Sequence, residues 1–202
     1  MKLRYSPASP YVRKVMVLAL ETGLAGKLEK IPTTVSPTKP SPDVAKDNPL
    51  IKVPALVLDD GQTLFDSPVI CEYLDSLHGG AKLFPASGPA RWTALRRQAL
   101  GDGILDAAIL TRYEGIRPDG FKWPDWIEGQ MTKVRTALAE LEREADKLGS
   151  TVDIGTITIG CALGYLDFRF ASEDWRAKHP KLAAWYASFA ARPSMKETVP
   201  QG

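Results

Sequence analysis

Eleven of the sixteen prolines lie at or before Pro89, whereas all five tryptophans (Trp92, Trp123, Trp126, Trp175 and Trp185) lie after it. Proline breaks the interior of a helix, and tryptophan needs a large apolar setting. The two halves therefore call for different architectures. Between them runs His78-Gly-Gly-Ala-Lys-Leu-Phe-Pro-Ala-Ser-Gly-Pro89, whose glycines and prolines punctuate rather than continue an element. The expectation is a domain over residues 1–78, a linker over 79–89 and a second domain over 90–202.

In the first half, Lys2–Tyr5 reads as a short strand, and Val12, Val15, Met16, Ala19 and Leu20 follow helical spacing up to a stop at Gly23. Leu28–Ile31 reads as a second strand. The prolines at 32, 37, 40, 42 and 49 leave no room for a regular helix. Val53–Leu58, Asp59-Asp60-Gly61 and Gln62–Phe65 read as strand, turn and strand. Ser67-Pro68 then opens a helix with Val69, Ile70, Tyr73, Leu74 and Leu77 placed on its inner face. The order β-α-β then β-β-α is that of a small α/β sandwich. The second half reads as helices over Trp92–Arg117, Trp126–Leu148, Ile154–Phe170 and Pro180–Ala191. Ile154–Phe170 is apolar almost all round, as a central buried helix must be.

Charge narrows the partners. Lys and Arg outnumber Asp and Glu by 26 to 24, and the balance is even in both halves, so no basic surface for nucleic acid is expected. The longest apolar run, Val15–Leu20, is far short of the roughly 20 residues that cross a bilayer. The first residues carry no apolar export segment, so the expected location is cytoplasmic and away from membranes. Cys71 and Cys161 sit among apolar neighbours and read as buried thiols.

Two helices of the first half open with the same dipeptide, Ser9-Pro10 and Ser67-Pro68. Serine is a preferred N-cap and proline a preferred first helical residue, so both read as capped starts. A helix N-terminus also presents free N–H groups and a partial positive charge, which suit a thiolate or a carboxylate. Ser9-Pro-Tyr-Val12 stands where a thioredoxin-like domain carries C-x-x-C, with no cysteine at either place. Dithiol chemistry is excluded there; a thiol has to arrive with a substrate. Within Asn48-Pro-Leu-Ile-Lys-Val-Pro54, Pro54 fits either a cis bond that exposes the Val53 backbone or an edge strand. Asp66-Ser67 suits the ammonium and carboxylate of an α-amino acid.

Taken in order, Tyr5-Ser-Pro-Ala-Ser9-Pro-Tyr-Val-Arg-Lys, Asn48-Pro-x-x-Lys-Val-Pro54, Asp66-Ser67-Pro-x-Ile-x-Glu-Tyr-Leu74 and Gly160-Cys-Ala-Leu-Gly-Tyr-Leu-Asp-Phe-Arg169 resemble a cytosolic glutathione S-transferase of bacterial type. The resemblance spans nearly the whole chain. It implies an α/β thioredoxin-like N-terminal domain, an all-α helical-bundle C-terminal domain, a homodimer and a part in detoxification. It also assigns roles: Ser9 as the catalytic serine, Val53 as the backbone partner of the glutathione cysteinyl group and Pro54 as the cis-proline. Asp66 and Ser67 would hold the γ-glutamyl end, with Lys52 near the glycyl carboxylate. The family more often has Glu-Ser at the Asp66-Ser67 place. Its core helix usually opens with Ser or Thr and has Asp three residues on; Asp153 and Thr156 exchange those chemistries, which predicts a surviving cap with altered bonds.

The implied activity is a glutathione transferase acting on an apolar electrophile, with no metal. Two other readings remain compatible: a protein of this fold that binds glutathione or a partner without turnover, and a glutathione-dependent isomerase. Tyr11, Tyr113 and Trp123 are candidates for the electrophile pocket, although packing under a loop explains the cluster Tyr113, Phe121, Trp123, Trp126 equally well. Arg13 reads as a surface residue, His78 and His179 as isolated histidines, and Glu140–Asp146 as a solvated helix face.

Overall fold

Alternation in Lys2-Leu3-Arg4-Tyr5 places Leu3 in the core and Lys2 in solvent, and these residues form β1 (Lys2–Tyr5), an inner strand. The computed structural model describes residues 1–202. Its first unit comprises Met1–Gly88 with Pro193–Gly202, and its second comprises Pro89–Arg192.

The sheet of the first unit has the order β2-β1-β3-β4. β2 (Glu29–Pro32) runs parallel to β1, while β3 (Leu56–Val57) and β4 (Thr63–Leu64) complete it antiparallel, with Leu56 opposite Leu64. β3 and β4 are shorter than Val53–Leu58 and Gln62–Phe65, and Pro54, which cannot donate to a ladder, stands outside β3. α1 (Pro10–Glu21) packs on α3 (Ser67–Ser76). α1 stops as expected: Gly23 takes φ +71°, and the Leu24 amide returns to the Ala19 carbonyl at 2.7 Å. This is the thioredoxin-like arrangement.

Three expectations for this unit need correction. The proline-rich stretch does hold a helix, α2 (Pro42–Asp47), whose start the Ser41 hydroxyl caps through the Val44 amide at 3.4 Å. Arg4 ties it to β1 through Asp47 (2.6 Å) and Asp43 (2.7 Å). On α3, Ile70, Cys71, Leu74 and Asp75 are buried, whereas Val69 and Leu77 are 46% and 40% exposed. At 100° per residue Val69 lies about 100° from Ile70 and about 140° from Leu74 and so is turned from them, whereas Leu77 shares their face but stands past Ser76, the last helical residue. The 79–89 segment is no free linker either. The buried Asp75 carboxylate accepts the Leu83 and Phe84 amides at 2.9 and 3.1 Å, and both side chains are buried.

The chain end also joins this unit, so the second domain does not run to residue 202. In α9 (Pro193–Glu197) the Met195 carbonyl accepts from Arg13 Nη2 at 3.1 Å, and Ser194 hydrogen-bonds Glu21. Arg13 is 5% exposed, so the surface reading fails: it fastens α1 to α9.

The second unit is helical throughout: α4 (Gly88–Gly115), α5 (Pro124–Leu148), α6 (Ile154–Arg169), α7 (Trp175–Lys178) and α8 (Pro180–Ala190). Every residue of α6 from Ile154 to Leu166 is buried. α4 crosses it closely at Gly155, where a Cβ would meet the Ala94 carbonyl oxygen at 2.6 Å. The exchanged cap works reciprocally. Asp153 accepts the Thr156 amide at 2.8 Å, and Thr156 accepts the Asp153 amide at 3.0 Å. The acidic run of α5 is not merely solvated: Glu142 takes the Lys181 and Leu182 amides at the start of α8, and Glu144 pairs with Arg96 and Arg97.

Candidate functional site

Ser9 follows the turn after β1, with its backbone extended at φ −83°, ψ 120°, so the chain is aimed to enter α1. Its Oγ accepts the Val12 amide at 3.3 Å. Capping uses the oxygen as an acceptor and leaves the hydroxyl proton available to donate elsewhere. Ser9 is half-buried, as a residue that meets a ligand at a helix start should be.

The loop before β3 is organised by Asn48, which is 1% exposed. Its Nδ2 donates to the Lys52 carbonyl at 3.0 Å, and its Oδ1 accepts the Leu50 amide at 2.9 Å. These bonds hold Ile51 at φ +55°, an unfavourable place for a β-branched residue. The Val53–Pro54 bond that follows is cis. β3 begins only at Leu56, so the Val53 backbone has no sheet partner, as the first of the two readings of Pro54 requires. Lys52 is exposed. Asn48 is the positioning residue that the motif contained but that sequence reasoning left without a role. Its signal was an asparagine four residues ahead of a carbonyl it can reach, which is a weak one.

At α3 the expected cap is absent. The N-cap position belongs to Asp66, which makes no side-chain cap bond, and Ser67 is the first helical residue. The first intrahelical bond is from the Ile70 amide to the Asp66 carbonyl, at 3.0 Å. The amides of Ser67 and Val69 thus have no acceptor within the helix, and Pro68 has none to offer. Ser67 is 2% exposed while Asp66 is exposed. The arrangement supplies donors and a hydroxyl for a carboxylate, with a carboxylate of its own beside them for an ammonium.

Of the candidates for an electrophile pocket, Tyr11 and Tyr113 are half-buried on α1 and α4. Trp123 is the N-cap residue of α5 and 60% exposed, its amide held by Glu114 at 2.9 Å. Phe121 is 68% exposed, so packing under a loop does not account for these two rings. Neither histidine is isolated. His78 Nδ1 accepts the Gly80 amide at 3.1 Å and so donates from Nε2 to Asp75 at 2.9 Å, while His179 meets the Trp175 carbonyl.

Comparison with known proteins agrees in both units. Residues 8–77 match the glutathione S-transferase N-terminal domain, and residues 124–188 match the C-terminal domain. An uncharacterised GST-like protein of Escherichia coli (strain K12), YibF, is 34% identical over 99% of this chain and 98% of its own. A glutathione transferase family member from Pseudomonas fluorescens Pf-5, solved with bound glutathione, is 50% identical with a TM-score of 0.97, over 100% of this chain and 99% of its own. A second structure from that organism, with bound S-(propanoic acid)-glutathione, is 48% identical with a TM-score of 0.93 over all of both chains. No helix of this chain is long and apolar enough to cross a membrane.

Proposed function

The chain belongs to the glutathione S-transferase family, and from that premise we propose that it is a cytoplasmic glutathione transferase whose catalytic group is Ser9. The observation that carries the reading is the pair of helix starts in one unit: Ser9 with a hydroxyl proton to donate, and α3 with unclaimed donors beside Asp66.

A free thiol has a pKa of about 8.5, so little of it is ionised at neutral pH. Serine holds its own proton too tightly to act as a base. Its hydroxyl instead donates to the glutathione sulfur while the α1 N-terminus adds positive potential, and both favour the thiolate. Ser67 and the α3 amides take the γ-glutamyl carboxylate and Asp66 takes the ammonium. The Val53 backbone pairs with the cysteinyl group beside Pro54, and Lys52 faces the glycyl carboxylate. The thiolate then attacks an apolar electrophile. Glutathione bound to relatives supports this reading. The exposed Val69 and Leu77 of the first unit and the 68% exposed Trp92 of the second suit burial against a second copy, so the working form is a homodimer.

A panel of electrophiles assayed with and without glutathione tests the activity. Conjugation that consumes glutathione is expected. Binding without turnover, or isomerisation without consumption, overturns it.

A further inference from the structure

The second unit contains two arginines with no acidic partner. Arg112 lies in the last turn of α4 and Arg169 ends α6. Arg112 is close enough for its charge to be felt at Arg169, and it also sits beside the Tyr165 hydroxyl. The carboxylates nearest to them in sequence are engaged elsewhere. Asp167 accepts from Trp175 Nε1 at 2.8 Å and from Arg176 at 2.7 Å, and Glu114 accepts from Arg117 at 3.2 Å and from the Trp123 amide at 2.9 Å.

Like charges brought together in a partly dry place repel and need an anion between them. Arg169 Nε is buried without any hydrogen-bond partner. Burial, helped by the Arg112 charge, pulls the Arg169 guanidinium below its usual pKa. Burial likewise pushes the Tyr165 phenol up, with the two arginines acting against it. By contrast, Arg97 in the same unit pairs with Glu144 and the Lys147 carbonyl. The setting is also built for a flat, partly apolar guest. The Arg169 guanidinium carbon lies 3.8 Å from the centre of the Phe168 ring, close enough for the ring to steady it. The Phe170 ring, 6.4 Å from that of Tyr165, adds an apolar wall.

We propose that Arg112 and Arg169 form a subsite for the carboxylate of an acidic electrophile, so that this enzyme's substrates are organic acids with an apolar body around the reacting carbon. The proposal rests on the transferase reading for its chemistry and deepens it by naming the substrate class. In a representative reaction the glutathione sulfur bonds to an activated aromatic carbon. The carbon–chlorine bond breaks, and chloride leaves with the electron pair. The arginines take no part in that exchange; they hold the far end of the acid.

The test compares a chloronitrobenzoate with the matching chloronitrobenzamide, which has the same reacting carbon and no charge. The parent should prefer the acid. Arg169→Gln and Arg112→Gln should each lower kcat/KM for the acid by roughly 10- to 100-fold, through KM, the size of effect expected for losing a hydrogen bond to a charge. The amide should stay within about twofold. Arg169→Lys, which keeps the charge but not the fork, should fall between parent and Arg169→Gln. Equal use of acid and amide by the parent, or a parallel loss of both in the variants, overturns the subsite while leaving conjugation standing. A separate measurement isolates the site from turnover: calorimetry with nitrobenzoate, which has no leaving group. Binding to the parent and not to Arg169→Gln upholds the subsite even if no electrophile is ever conjugated. No binding to the parent overturns it.

Discussion

Ser9-Pro10 and Ser67-Pro68 are the same dipeptide at the start of two helices packed on each other, yet they are used differently. At α1 the serine is the N-cap and accepts the Val12 amide; at α3 the serine lies one place inside the helix and caps nothing. A third copy, Ser41-Pro42, caps α2 as Ser9 caps α1. Pro68 lacks an N–H and Asp66 makes no side-chain bond, so the α3 start keeps its donors open at a cost that a capped helix avoids. In the proposed binding mode the difference has a use: the start that the protein leaves unfinished is the one a γ-glutamyl carboxylate would complete, and the finished start would lend only its hydroxyl proton.

That contrast can be broken most visibly at Asp66. Asp66→Ala removes the proposed partner of the glutathione ammonium and should weaken glutathione by about 1.5–3 kcal/mol in a calorimetric titration. Thermal stability should hold, because the carboxylate caps nothing. Affinity unchanged from the parent would make Asp66 a bystander.

Ser9→Ala should show the opposite balance. Losing its cap costs about 1 kcal/mol, read as a fall of about 2–4 °C in Tm for a chain this long. Conjugation should slow, and the apparent pKa of the bound thiol should rise towards the free value of about 8.5. A pH–rate profile superimposable on that of the parent would reduce Ser9 to a cap.

Ser41→Ala sharpens the comparison from the third helix. Its bond is long at 3.4 Å and its helix has six residues, so about 0.5 kcal/mol of stability should go, with glutathione affinity untouched. The smallest effect belongs to the same helix. The hydrogen bond from Arg4, and then its charge, hold the exposed Asp43 carboxyl below its usual 3.8. A carboxyl lowered in the folded state stabilises above its unfolded pKa, and that contribution disappears as pH falls through the lower folded value. A melting series from neutral to acid pH should therefore show a slightly smaller acid loss in Asp43→Asn than in the parent.

How far these features could be read without coordinates depended on how local their causes are. β1, the stop at Gly23 and the exchanged cap of α6 matched because each is decided within a few residues. Local rules also misled. The prolines of 32–49 read as breakers, although Pro42 at the first position of a helix starts one. Val69 and Leu77 read as core by being apolar, although the helical angle from Ile70 and Leu74 turns Val69 out and Leu77 stands beyond the end of α3. The fate of Arg13 was out of reach, because its partner Met195 lies 182 residues away. The same holds for the site. Ser9, Val53, Pro54, Asp66 and Ser67 were all legible as a motif, but the missing cap at Ser67 was not, since serine before proline looks alike whether it caps or not.

The central claim is that the α3 start is unfinished because glutathione finishes it, and Ser67→Ala addresses that directly. Its melting temperature and its glutathione affinity are to be measured side by side with the parent's. An unchanged Tm is predicted together with glutathione binding weakened by about 1.5–3 kcal/mol, the loss of one hydrogen bond to a charged group. A Tm that falls as it does in Ser9→Ala, with glutathione affinity intact, would show that Ser67 is an ordinary cap and would contradict it.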